Sequence, residues 1–314
     1  MTSSKLKVIF YLLLPRPGAI LGGSIYFWAG VIYALVAGHH LPFRDLALTW
    51  FCVEFLINQA KYWLNDYKDI ASDRLHPRKK ERASASGSIP EMWLPVMFAG
   101  RSAAGLALLF WFLPGVLPFA LLLPLVQVLY ESVKRTPLLN AGAAASGSLV
   151  RFAAGFFAGA GVWPALLPCL MVYTQRVAIY TAAYGAEGRY LLWRRAVPGK
   201  EYTIFYARRP YLEKISLACF LCLLGYAFAQ SVPAWTVLAG VAIAAGGILY
   251  YRINGPGDKF YRRNWKFHWL MFVFTFRQKT GATKLNYWKI KGARPGMNQK
   301  WLILSTVLKN RCLF

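Results

Sequence analysis

Acid is what this chain has least of. Only 12 Asp and Glu stand against 37 Lys and Arg in 314 residues, a formal net charge of +25. Surface ion pairs cannot absorb that surplus, so it must meet anionic substrates or an anionic membrane surface. Nucleic acid is a poor match, because the basic residues are divided among connections between apolar runs. Cysteine is also sparse, with five residues at 52, 169, 219, 222 and 312. Cys219 and Cys222 form the sole C-x-x-C, inside the apolar run ISLACFLCLLGYAFA, without the polar company of a redox pair or zinc site. A cleavable leader is not evident: the first apolar stretch is long and is followed by others, so it reads as an anchor.

Apolar sequence is abundant. Hydrophobic residues make up 57% of the chain and mean hydropathy is +0.37, well above a soluble domain. Runs long enough to cross a bilayer fall at 10–37, 46–64, 92–112, 115–131, 142–161, 164–184, 212–231 and 233–251. The first carries Pro15 and Pro17 and is expected to bend there. WKFHWLMFVFTF at 265–276 is too short to span. The expected fold is therefore all-α: a polytopic membrane helical bundle of about eight to nine transmembrane helices over residues 1–264. Residues 265–314 are a short apolar stretch and a basic tail. Connections alternate in charge. The N-terminus, 65–90, Lys134-Arg135, 189–209 and 252–266 hold nearly all the basic residues, and the positive-inside rule puts them in the cytoplasm. The small residues of NAGAAASGSL and FAAGFFAGAG suit close helix packing.

Against this background one stretch stands out, NDYKDIASDRLHPRKKERASASG at 65–87, which holds three of the five Asp in the chain. Asp66, Asp69 and Asp73 fall at i, i+3 and i+7, and Asn65, Asp69 and Asp73 at i, i+4 and i+8, one stripe on a helix. Carboxylates so placed repel unless a cation joins them. An all-oxygen set suits magnesium, which uses one or two carboxylates plus substrate phosphates. The plainer alternative is a solvated helix end with Lys68 and Arg74 as partners. His76, Arg78, Lys79, Lys80 and Arg82 follow, then small residues, a composition that cradles phosphate. Arg101, inside an apolar run, reads either as facing a cavity or as snorkelling from a shifted helix.

At these residues the sequence resembles the UbiA superfamily of intramembrane prenyltransferases. Asn65–Asp73 matches its first motif, N-D-x-x-D-x-x-x-D, at every fixed position. DRLHPRKKERASASG is closest to the decaprenyl-phosphate phosphoribosyltransferase branch, which continues D-R-x-H-P-x-K-x-x-R-P-I-A-x-G. Tyr130–Gly155 is similar to a second segment of that branch at Lys134, Pro137, Leu138, Leu139, Arg151, Ala154 and Gly155. The resemblance covers roughly residues 10–250. It departs at Ala83, where the branch has Pro, and at Asn140, where it has Asp. The usual second acidic motif is matched only by Glu187 in YGAEGRY, without its basic pair.

The resemblance implies a magnesium-dependent transferase. Asp66, Asp69 and Asp73 become catalytic and, with Asn65 and Glu187, the metal side. Lys79, Arg82, Lys134 and Arg151 become contacts to substrate phosphate. For Glu187 a surface pair with Arg189 stands as the alternative. The branch joins phosphoribosyl pyrophosphate to a polyprenyl phosphate and releases pyrophosphate. An alternative moves an isoprenyl group from a diphosphate to an aromatic or lipid acceptor, and a second alternative is a non-catalytic membrane scaffold or transporter. The implied partners are a polyprenyl lipid, a phosphorylated sugar or prenyl diphosphate, and the membrane, with self-association into a homo-oligomer left open. The implied location is a bacterial plasma membrane with the site facing the cytoplasm.

Overall fold

In the computed structural model the residues described are 3–39, 42–75, 79–194 and 200–229. All of their regular structure is helical: α1 (Ser3–Leu13), α2 (Pro17–Val36), α3 (Phe43–Trp50), α4 (Asn58–Leu75), α5 (Trp93–Phe112), α6 (Leu117–Val133), α7 (Leu139–Ala160), α8 (Leu166–Arg194), α9 (Glu201–Ala207) and α10 (Tyr211–Ala229). A π-helical segment, Phe51–Ile57, joins α3 to α4.

Local chemistry sets the breaks. Pro17 opens α2, where its missing N–H is of no consequence and its fixed φ fits a helix, so the stretch expected as one span at 10–37 divides into α1 and α2. Gly161, at φ +69°, ends α7 by donating its N–H to the Phe157 carbonyl at 2.8 Å. The π segment widens the backbone, and Arg101 from α5 holds one of its carbonyls, that of Phe55, at 2.6 Å. A second bond from Arg101, 2.8 Å to the Leu13 carbonyl, secures the end of α1. The guanidinium also lies over the Phe55 and Trp63 rings. Arg101 is thus a tie between three helical segments.

Among the described residues three helices are long and apolar enough to cross a membrane: Trp93–Phe112, Pro114–Val133 and Leu139–Ala160. A fourth is added if Glu201–Ala207 and Tyr211–Ala227, bent by 73°, count as one. This is fewer than the eight to nine expected. The stretch at 46–64 is divided by the π segment and carries Glu54, Asn58, Gln59 and Lys61. The run at 164–184 continues as one 29-residue helix that includes Gln175 and Arg176. The run at 233–251, the boundary at 264 and the tail lie outside the described residues.

Helix α7 is central, in contact with α2, α3, α6 and α8. It meets α2 backbone to backbone. A Cβ on Gly30 would collide with the Phe152 carbonyl, and one on Gly155 with the Phe27 carbonyl. Phe27, Val53, Leu109, Phe119 and Ala154 fill the core on this side. Gly188 brings α8 equally close to α9 at Thr203. With α6 and α8 packed on α7, and α9 on α8, these elements are set around the acidic end of α4.

Candidate functional site

The stripe forms as expected. Asp66, Asp69 and Asp73 lie on α4, at 1%, 8% and 1% exposure, so none is a solvated helix end. Burial at that level requires partners, and they arrive from five other segments. Arg16, in the link between α1 and α2, meets Asp66 at 2.5 Å, and Tyr11 on α1 donates to the same carboxylate at 2.9 Å. Arg82, in the loop after α4, meets Asp73 at 2.6 Å and Asp66 at 3.4 Å. Lys134, ending α6, lies 2.8 Å from Asp69 and 2.5 Å from Glu131. Lys200, just before α9, reaches Asp69 at 3.1 Å. Lys79 stands 3.4 Å from Glu187 on α8 and 3.9 Å from Asp73, linking the two acidic positions.

These contacts set protonation. Burial works to raise the Asp66 carboxyl, but Arg16 and Arg82 outweigh it and hold it below the usual carboxylate range. Burial likewise opposes ionisation of Asp69, and Lys200 with Lys134 overcome it. Burial would lower the Lys200 ammonium, yet Asp69 raises it above its ordinary value. Lys79 goes the other way: burial dominates over Glu187 and lowers it. Asp66 and Asp69 are therefore ionised at neutral pH, and burial makes Lys79 give up its proton more readily than an exposed lysine.

The structure brings some of the candidate residues together and separates others. Lys79, Arg82 and Lys134 all converge on the stripe, and Glu187 joins it through Lys79. Arg151 does not. Its Nε lies 2.7 Å from Glu54, which also accepts from Asn58 at 2.8 Å. The expected partners of a solvated end sit elsewhere: Arg74 pairs with Glu91 at 2.5 Å, and Lys68 lies over the Tyr67 ring. His76 and Arg78 fall outside the described residues. Arg16, Lys200, Tyr11 and Glu131 were not legible, because single basic residues near apolar runs look like membrane flanks. Ser84, next to the departure at Ala83, and Asn140, the other departure, both act here. Ser84 brings its hydroxyl 3.5 Å from Asp66. Asn140 accepts from Tyr206 at 2.6 Å and donates to the Lys134 carbonyl at 3.2 Å, a donation that an ionised Asp cannot make.

The residues fit a hard divalent cation. The set is all oxygen, and Asp73 Oδ1 is buried with no hydrogen-bond partner. Among the described residues no three His, Cys, Asp or Glu side chains close on one point by themselves. That matches an ion held by one or two carboxylates and completed by substrate phosphates.

The chain is similar to several known proteins. A model of the UbiA prenyltransferase family matches residues 24–274. The chain is 30% identical over 132 residues to a decaprenyl-phosphate phosphoribosyltransferase of Mycolicibacterium smegmatis; the match spans 40% of this chain and 41% of that relative. Its fold is similar to solved structures of a UbiA homolog from Archaeoglobus fulgidus. The form bound to GPP and Mg2+ aligns with TM-score 0.62 at 15% identity, covering 84% of this chain and 97% of that one. The form bound to DMAPP and Mg2+ aligns at 0.61 and 16%, covering 77% and 86%.

Proposed function

The chain belongs to the UbiA prenyltransferase family, a family of integral membrane enzymes, and from that premise we propose that it is a magnesium-dependent transferase that moves an isoprenyl group from a prenyl diphosphate to an acceptor. The observation that carries this reading is the convergence of Arg16, Lys79, Arg82, Lys134 and Lys200 on three buried aspartates. The similar A. fulgidus fold bound to GPP and Mg2+ supports it.

Asp66, Asp69 and Asp73, with Asn65 and Glu187 beside them, are the residues that would hold magnesium. The ion, when bound, neutralises charge that develops on the departing pyrophosphate. The rest belongs to this chain. The C1–oxygen bond of the donor breaks, its electron pair leaves with pyrophosphate, the acceptor nucleophile bonds to C1, and the proton that the nucleophilic atom carried is released. Lys79, Arg82, Lys134 and Arg16 are the groups that meet the leaving group as it gains charge, each turning from its carboxylate toward phosphate when magnesium takes up the carboxylates. Burial of the stripe keeps water from C1. The basic loops that carry these residues support a site that faces the cytoplasm, on this proposal in a bacterial plasma membrane.

A second reading rests on a separate observation. The local identity to the M. smegmatis relative, together with Asp73–Arg82 reading DRLHPRKKER, favours phosphoribosyl transfer to a polyprenyl phosphate. There the acceptor phosphate is itself the nucleophile and needs no base. Purified protein in detergent with magnesium separates the readings. One arm receives labelled geranyl diphosphate with 4-hydroxybenzoate, the other labelled phosphoribosyl pyrophosphate with a panel of polyprenyl phosphates. A prenylated product in the first arm supports the main reading, and a labelled lipid in the second supports the other. Absence of product in both arms, from protein that binds magnesium with pyrophosphate, overturns both.

A further inference from the structure

Asp69 is gripped from two sides by residues far apart in the chain. Lys134, ending α6, takes Oδ1 at 2.8 Å, and Lys200, just before α9, takes Oδ2 at 3.1 Å. The backbones that carry these lysines are joined by a separate set of bonds. Tyr206, near the end of α9, is buried; its hydroxyl donates to Asn140 Oδ1 at 2.6 Å and accepts from the Leu138 N–H at 2.8 Å. Asn140, fully buried at the start of α7, donates in turn to the Lys134 carbonyl at 3.2 Å. That carbonyl ends α6, where no further helical turn can satisfy it. On the other side the Lys200 carbonyl accepts from the Thr203 hydroxyl at 2.7 Å and from the Thr203 N–H at 3.0 Å, and Thr203 is itself fully buried. The bonds therefore run from one lysine to the other through α9, by a route that does not pass through Asp69.

Packing alone does not account for this network. Leu138 holds φ +71°, and among the described residues it is the one non-glycine residue with a positive φ. Its side chain is 54% exposed, so the turn places no leucine in the core. What the turn does is aim the Leu138 N–H at Tyr206 and bring Asn140 back to the end of α6. Strain kept in this way points to a constraint on position. The constrained residue is Lys134, which is buried and whose ammonium stands 2.8 Å from Asp69 and 2.5 Å from Glu131. A lysine stem is long and flexible, so its ammonium is placed only as well as the backbone beneath it. Lys200 and Tyr206 stand about 9 Å apart along one short helix, so a bond at one end of α9 sets the other.

We infer that Tyr206 and Asn140 are positioning residues that lock the end of α6 to α9, so that Lys134 and Lys200 are presented as one two-pronged clamp, to Asp69 and then to the diphosphate that replaces it when magnesium takes the carboxylate. The inference rests on the transferase reading above and adds to it two residues that act through the lysines. It also gives Asn140 a reason. An ionised aspartate, the residue of the similar branch at this position, accepts from Tyr206 but cannot donate to the Lys134 carbonyl. The link from α9 to α6 is complete with Asn and broken with Asp.

Tyr206→Phe deletes the hydroxyl and keeps the ring. Affinity for pyrophosphate in saturating magnesium is measured by calorimetry in a double-mutant cycle with Lys134→Gln. Tyr206→Phe is expected to weaken pyrophosphate at least fivefold in the wild-type background and less than twofold beside Lys134→Gln, because the lysine it serves is gone. Beside Arg82→Gln the fivefold loss should persist, since the ion pairs of Arg82 are with Asp66 and Asp73. A loss of the same size beside Lys134→Gln as in wild type, or no loss in wild type, overturns the inference, as does disappearance of the loss beside Arg82→Gln. General loosening of the fold would not tell one cation from another. Asn140→Asp takes the place of Tyr206→Phe, with the same expectations, if the latter does not purify as a folded protein. A second measurement needs no ligand. Lys134 is buried and Lys68 is exposed. Acetylation by sulfosuccinimidyl acetate, followed by mass spectrometry, is expected to be at least fivefold faster at Lys134 in either variant than in wild type, and equal at Lys68. Equal labelling of Lys134 in wild type and variants overturns the clamp. Failure of wild type to bind pyrophosphate with magnesium strikes the transferase reading instead, and the clamp is then judged by the labelling alone.

Discussion

Two arginines that look alike in the sequence differ in consequence. Arg74 and Glu91 meet at 2.5 Å, but both side chains are about half exposed, a kind of pair worth about 0–1 kcal/mol. Arg16 meets the fully buried oxygen of Asp66 at the same distance. Arg16→Gln is therefore expected to lower kcat/KM by about 100-fold or more, the scale for losing one preorganised donor at a developing anion. Arg74→Gln should stay near wild type. Steady-state kinetics on the two variants check this, and equal effects would refute the assignment of Arg16 to the site. Asp66, Asp69 and Asp73 were readable because their spacing states a helical face. Arg16 was not, because a lone basic residue beside Pro15 and Pro17 carries no periodic signal. Arg151 shows a third case: the motif supplied its identity but not its depth, and depth decides that it meets Glu54 instead of the stripe.

Elements explain why the span count differed from expectation. Hydropathy and apolar length recognise a long, mostly apolar helix, and α5, α6 with the turn before it, and α7 are of that kind. The stretch from Phe43 to Leu75 is instead a short helix, a π segment and a polar helix in series, and it carries most of the chemistry. The break at the π segment and the polar residues take it out of the count, although 46–64 reads in sequence as an apolar span. The small-residue signal in α7 was sound and has a definite target. Because Gly155 touches the Phe27 carbonyl and Gly30 touches the Phe152 carbonyl, a methyl group there must displace backbone, not a flexible side chain. Gly155→Ala is expected to destabilise the protein by about 1–3 kcal/mol, visible as a lower unfolding temperature in detergent. Gly147→Ala is the control, since a Cβ there comes no nearer than 3.9 Å to the Val126 side chain, and it should leave that temperature unchanged.

For the molecule as a whole the governing quantity is charge balance at the stripe. The described ion pairs join five carboxylates, Asp66, Asp69, Asp73, Glu131 and Glu187, to five cations, Arg16, Lys79, Arg82, Lys134 and Lys200. Formally neutral as it stands, the site disfavours a lone divalent cation and a lone polyanion alike. Magnesium offsets half or more of the charge on pyrophosphate, so each lowers the electrostatic cost of binding the other. We therefore expect each to bind weakly alone and at least tenfold more tightly in the presence of the other, measured by calorimetry in both orders of addition. By linkage the two enhancements must be equal. Independent binding would show that the cations do not move from carboxylate to phosphate.

The pairing of Asp69 with Lys200 spans 131 residues of chain. At synthesis rates of about 5–20 residues per second, the aspartate is made roughly ten seconds before the lysine that neutralises it. Lys134 arrives about midway. Throughout that interval the nascent α4 carries a charge that its eventual surroundings exist to compensate, so it stays at the water boundary while earlier hydrophobic helices settle. The order of synthesis thereby leaves the acidic end of α4 among the last parts to be enclosed, and the final closure falls to the short segment that delivers Lys200.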